Sequence, residues 1–122
     1  MAILRHALPD GSAHFDLLLA TGDAGDDARV VPTWRCPVDP LSMHGGCRVT
    51  VQALPAHRGL YLRLQGPREL DAGRGWVRPV HAGWHTRRHG LLWLATAQVA
   101  ERAFTLEGDS LRCEPDGQVK AS

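Results

Sequence analysis

Several things are scarce in this chain. Lys120 is its only lysine, and the formal net charge is +1 with neutral histidines. A basic tail that grips nucleic acid by charge alone is therefore excluded. The basic side chains are almost all arginine, which forms planar two-point contacts with phosphate and carboxylate that lysine cannot reproduce. A GC-rich coding sequence gives the same bias. The three cysteines, Cys36, Cys47 and Cys113, show no Cys-x-x-Cys spacing, and their odd number argues against a complete disulfide framework. No apolar run approaches the roughly 20 residues of a membrane span. A basic N-terminal region followed by an apolar run is missing too, so no signal peptide is expected. There is no internal repeat, no low-complexity tract, no glycine-rich phosphate loop and no serine in a nucleophile-elbow context. The expectation is a cytoplasmic, monomeric protein with reduced thiols and no membrane association.

What the chain does have is enough apolar material for one core: 122 residues, 43% of them hydrophobic. It also has dense turn punctuation, with 13 glycines and 8 prolines. Between these marks lie short segments of period-two patterning. They predict strands over Ile3 to Ala7, Ala13 to Ala20, Ala28 to Arg35, Cys47 to Leu54, Gly59 to Gln65, Gly75 to His81, Leu91 to Thr96 and Ala103 to Glu107, with Ser110 to Glu114 as a further candidate. Strands at this interval predict an all-β fold, a compact antiparallel β-barrel of about eight strands. It occupies residues 1–115 as one domain, with a polar tail over 116–122. Leu91 to Phe104 has no internal glycine or proline, so propensity also permits a helix there; we read it as two strands with a turn near Ala100-Glu101. The acidic stretch Asp23 to Asp27 reads as a solvated hairpin tip, and Gly73-Arg74-Gly75 as a hairpin turn.

The clearest chemistry lies in Ala13-His14-Phe15-Asp16-Leu17-Leu18-Leu19. On a strand, His14 and Asp16 point one way and Phe15, Leu17 and Leu19 the other. His6 lies near the end of the preceding strand, and a tight turn at Pro9 to Ser12 brings that strand alongside at about 5 Å. Two imidazoles and a carboxylate with open positions suit a divalent cation such as Mn, Fe or Zn. The same residues are also what an ordinary solvated strand face carries. A second candidate is His57 with Tyr61 and Arg63, which on one strand face offer a general acid, a hydrogen-bond donor and a phosphate clamp. In that reading Leu60, Leu62 and Leu64 face the core. His81, His85 and His89 have i,i+4 spacing, but Pro79, Gly83 and Gly90 interrupt any helix, so they read as turn residues without a metal. His44 falls in a loop. A cupin-like site is set aside, because the strand carries His-x-Asp with no glutamate nearby.

Taken in order, these features resemble the 3′-phosphoesterase domain that accompanies bacterial DNA ligase D and its small stand-alone relatives. The resemblance runs over residues 3 to 108: Arg5-His6, then His14-Phe15-Asp16, then Thr33-Trp34-Arg35-Cys36-Pro37, then His57 with Tyr61 four residues on, and then the hairpin Gly73-Arg74-Gly75-Trp76-Val77 followed by His81-Ala82-Gly83. It implies a β-barrel with a polar crescent-shaped site that removes 3′-phosphates and 3′-ribonucleosides from DNA ends, usually with manganese. His6, His14 and Asp16 would be metal ligands, His57 would act on the scissile phosphate, and Tyr61 would support it. DNA ends, including RNA-tipped ones, and ligase or polymerase repair proteins are the implied partners. The chain departs from the family at Leu18, where the family has a phosphate-holding arginine, and at Ala20 and Thr21, where a glutamate is usual. Arg5, Arg35 or Arg63 could supply the missing charge from a neighbouring strand. The alternative function is a non-catalytic barrel of the same fold that binds DNA ends or a repair partner; a third is a barrel whose histidines are incidental.

Overall fold

The computed structural model describes residues 1–115, so the tail expected over 116–122 lies outside it. Ten antiparallel strands carry the fold: β1 (Ala2–Ala7), β2 (Ala13–Leu18), β3 (Arg29–Cys36), β4 (Arg48–Thr50), β5 (Gln52–Arg58), β6 (Arg68–Glu69), β7 (Trp76–Arg88), β8 (Leu91–Thr96), β9 (Arg102–Glu107) and β10 (Ser110–Cys113). The only helical pieces among the described residues are three short 3₁₀ turns. None is long and apolar enough to cross a membrane.

The ladder runs β4-β10-β9-β8-β7-β1-β2-β3-β5, with β6 added beside β7. The all-β antiparallel architecture is the expected one, but the sheet is curled rather than closed. Its two end strands, β4 and β5, do not pair with each other. They are consecutive in the chain, separated only by Val51, which is buried and whose N–H donates to the Asp109 carbonyl at 2.7 Å. The expected single strand Cys47 to Leu54 is thus cut at Val51, and the cut is where one end of the sheet passes into the other.

β7 joins the two halves. It pairs with β1 from Trp76 to Ala82 and with β8 from Gly83 to Arg88. The anticipated turn at His81-Ala82-Gly83 is therefore strand interior, and His81 and His85 are strand residues. Only His89, at φ 54°, lies in a turn. Gly83 is needed there for a steric reason: a Cβ on it would lie 2.0 Å from the Ala95 carbonyl oxygen. β8 and β9 pair as the two-strand reading of Leu91 to Phe104 requires. The reversal falls earlier than Ala100-Glu101, because the Thr96 hydroxyl accepts from the Gln98 and Val99 N–H groups and closes the chain there.

Alternation on β1 and β2 builds two cores. Ile3, Leu17 and Leu19 enter the main one with Leu92, Leu94, Phe104 and Leu111. Fully burying each such side chain is worth about 1.5–3 kcal/mol. Ala2, Leu4, Leu18 and Val31 enter a smaller one on the opposite face, against Tyr61, Leu62 and Leu64. Gly59 to Gln65 is not a strand. Residues Gly59–Leu62 form a 3₁₀ turn. The Gly59 and Leu60 N–H groups donate to the Ala28 and Asp26 carbonyls, and the backbones approach so closely that a Cβ on Gly59 would meet the Gly25 oxygen at 2.3 Å. The acidic stretch is accordingly a clasp, not a free tip.

Candidate metal centre and its cavity

In the β1–β2 ladder His6 stands directly opposite His14, and Leu4 opposite Asp16. Strand alternation places His6, His14 and Asp16 on one face, next to the small apolar cluster. The sequence expectation of a converging group is met: one donor atom from each of the three lies within 4.8 Å of the others.

The hydrogen bonds fix which nitrogens are available. His6 Nε2 lies 2.7 Å from the Arg74 carbonyl. A carbonyl oxygen only accepts, so this nitrogen carries the ring proton of neutral His6 and Nδ1 presents a lone pair. That lone pair faces His14 Nε2 at 3.1 Å. His14 Nε2 also lies 3.3 Å from Asp16 Oδ1, yet this oxygen is buried without a hydrogen-bond partner, because the approach lacks hydrogen-bond geometry. Burial lowers the His14 pKa, the Asp16 carboxylate opposes this, and Arg35 and His6 add to the lowering. Burial thus favours the neutral imidazole, and with His6 Nδ1 as acceptor His14 Nε2 is the donor, so a cation bound there would replace that proton. Metal bonds of about 2.0–2.2 Å put pairs of donors on one cation roughly 3–3.6 Å apart. The His6–His14 and His14–Asp16 spacings, 3.1 and 3.3 Å, match, and a buried carboxylate oxygen without a hydrogen-bond partner is what a cation would satisfy. His6, His14 and Asp16 form a group that can hold a metal ion, and the Arg74 carbonyl is the outer partner that orients one ligand.

His57, at the end of β5, completes the arrangement. Its Nδ1 donates to the Pro55 carbonyl at 3.1 Å, which leaves Nε2 as the working nitrogen, 3.9 Å from Asp16 Oδ2. The Tyr61 ring packs edge-on to the His57 ring with centroids 5.7 Å apart. Both line a cavity of about 410 Å³ together with His6 and Asp16, a size in the range of small-ligand sites.

The three proposed phosphate clamps separate. Arg35 is paired with Asp16 across β2–β3, lines the cavity, and has a buried Nε without a hydrogen-bond partner. Arg5 lies between Leu4 and His6 on β1, so its side chain belongs to the opposite face, where it stands across from Phe15 and Arg78. It is not a cavity residue. Nor is Arg63, whose guanidinium is bound to Asp26 at 2.7 Å and to the Ala24 carbonyl at 2.8 Å. The expected role of Arg63 rested on strand geometry that the 3₁₀ turn replaces. Leu18 is fully buried beneath Tyr61, so its position is a floor of the small core and not a wall of the cavity.

Four arginines that sequence reasoning did not single out also line the cavity: Arg29, Arg58, Arg68 and Arg74. No local signal marks them, because three come from strand margins and one from a turn. His81, by contrast, is engaged elsewhere. It bonds Asp39 at 2.8 Å, and Asp39 in turn caps the 3₁₀ turn Pro40–Ser42 through the Leu41 N–H.

Comparison of the chain with protein-family models, curated proteins and solved structures found no match.

Proposed function

We propose that this protein is a metal-dependent phosphoesterase acting on nucleic-acid 3′ ends, removing a terminal phosphate or ribonucleoside. The observation that carries the reading is one cavity lined by His6 and Asp16 of the two-histidine, one-aspartate group, by His57 with its Nε2 turned toward Asp16, and by Arg35, the ladder partner of that aspartate. A divalent cation on His6, His14 and Asp16, manganese in this proposal, supplies Lewis acidity at a phosphoryl group. The chain's own residues do the rest. Water adds its oxygen to phosphorus as the ester P–O bond breaks, and Arg35 holds a phosphate oxygen and offsets the charge that grows there. His57, when protonated at Nε2, gives its proton to the leaving oxygen. Tyr61 keeps the His57 ring in place and offers its hydroxyl to the phosphate. Arg35 thereby fills the role vacated at Leu18, which weakens the case for a non-catalytic binder.

The test is incubation of the full chain with manganese and a 3′-phosphorylated or ribonucleotide-tipped primer-template. Phosphate or nucleoside release that disappears in His57→Ala supports the proposal. A folded, manganese-binding protein that retains the ends without turnover would overturn the enzymatic reading in favour of the binder. Absence of manganese binding that depends on His14 would leave the histidines incidental.

A further inference from the structure

The arginines of the cavity fall into two groups. Arg35 lies by Asp16 at the metal group. Two of the others, Arg58 and Arg68, lie by Tyr61. Arg58 lies over its ring at 5.8 Å and Arg68 at 6.0 Å. Arg29 is the direct ladder partner of Arg58. Like charges placed opposite each other in a ladder repel and are destabilising. Little on the protein offsets this: Arg58 has a 3.5 Å approach to Asp27, whose side chain is 94% exposed, while Arg29 and Arg68 make no ion pair among the described residues. Glu69 and Asp71 also line the cavity but neither is bonded to these guanidinium groups. A concave wall of three guanidinium groups beside an aromatic ring, two of them without an ion pair and the third paired only with an exposed carboxylate, is suited to a phosphate that carries a base or sugar beside it.

We propose that Arg29, Arg58 and Arg68, with Tyr61, form a second anion subsite, so that the cavity takes a ligand with two phosphate groups. One phosphate sits at the metal group with Arg35 and His57, the other on the arginine wall. The inference rests on the phosphoesterase reading and narrows its substrate to a nucleic-acid strand of at least two nucleotides, in place of a small phosphomonoester. The outer phosphate is the diester one nucleotide inward from the 3′ end. Tyr61 separates the two subsites and touches both, through His57 on one side and through Arg58 and Arg68 on the other.

The experiment is calorimetric titration of the full chain, with manganese present, using two probes: thymidine 3′-phosphate, with one phosphate, and a 3′-phosphorylated thymidine dinucleotide, with two. The wild-type protein is expected to bind the dinucleotide about tenfold tighter, the size of one charge-assisted contact. Its dependence on log salt should be steeper by about 0.7. The double variant Arg29→Ala/Arg68→Ala, in which both side chains are exposed, should lose that preference and the extra salt slope while binding manganese as the wild type does. Equal affinity of the wild type for the two probes would overturn the inference without any variant. So would a preference that persists in the double variant. Manganese titration is read separately: a chain that discriminates the probes but takes up no manganese keeps the second subsite and loses the metal-dependent reading.

Discussion

His6 Nδ1 lies 3.1 Å from His14 Nε2, with the two residues facing each other as a cross-strand pair. In most ladders such a pair would be two polar side chains turned to solvent. Here the Arg74 carbonyl accepts a hydrogen bond from His6 Nε2–H and burial disfavours charge on His14. One nitrogen from each ring and the buried Asp16 Oδ1 thereby converge.

Replacing His14 with alanine should abolish this convergence. Loss of an outer-shell partner alone costs about 10–100-fold in metal affinity, so removal of a ligand should exceed that. Manganese titration of the wild type and His14→Ala, with circular dichroism to confirm the fold, measures it. Matching affinities would exclude the site.

Arg35 and Arg5 should behave differently. If Arg35 steadies the transferring phosphate, Arg35→Ala should lower turnover of a 3′-phosphorylated end by about 10²–10³, taking the loss of one oxyanion donor as a guide. Arg5→Ala, on the other face of β1, should change it less than twofold by the same standard. Rates for both variants, normalised to bound manganese, provide the check.

Leu18 belongs to the small core. Leu18→Ala should cost about 2–5 kcal/mol in denaturant unfolding. Leu18→Arg should be worse, since it places an unpaired charge among Ala2, Leu4 and Val31. An arginine here would restore no clamp. A gain of activity in a stable Leu18→Arg protein would contradict this placement.

Gly83→Ala should weaken the joint between β7 and β8. The new methyl group would collide with the Ala95 backbone and not with a side chain that could turn aside. A lowered unfolding midpoint, together with faster amide exchange over β8, is the expected signature.

The thiols should react unequally. Burial first, then the Asp16 and Asp39 carboxylates, push the Cys36 thiol from 9.0 up to about 12. The thiolate is the reactive form, so at pH 8 alkylation of the native chain should reach exposed Cys47 and spare Cys36 and Cys113. Because the folded-state pKa of Cys36 lies above its unfolded value, this stabilising term is complete below pH 9.0 and fades as the pH rises toward about 12. Mass spectrometry of alkylated native and denatured protein tests the first statement, and unfolding above pH 9.0 in wild type and Cys36→Ala the second.

The period-two run around His14 made the essential division legible: His14 and Asp16 to one face, Phe15, Leu17 and Leu19 to the other. Pro9 to Ser12 announced the hairpin that sets His6 against His14. These are local facts, and a strand pleat enforces them wherever the strand goes. The same alternation misled at Tyr61 and Arg63, because hydrogen bonds from a loop more than 30 residues earlier in the chain (Arg63 to Asp26 are 37 apart) bend that segment into a 3₁₀ turn. Alternation says which residues share a face, but not which strand becomes the neighbour or in what register. That choice is made by the joint burial of both cores. It set Arg35 opposite Asp16, carried His57 beside Asp16, turned Arg5 away, brought Arg58 and Arg68 to one aromatic ring, and set Arg29 across the ladder from Arg58. The sequence by itself determined that His6, His14 and Asp16 share one face; packing between distant segments decided what faces them.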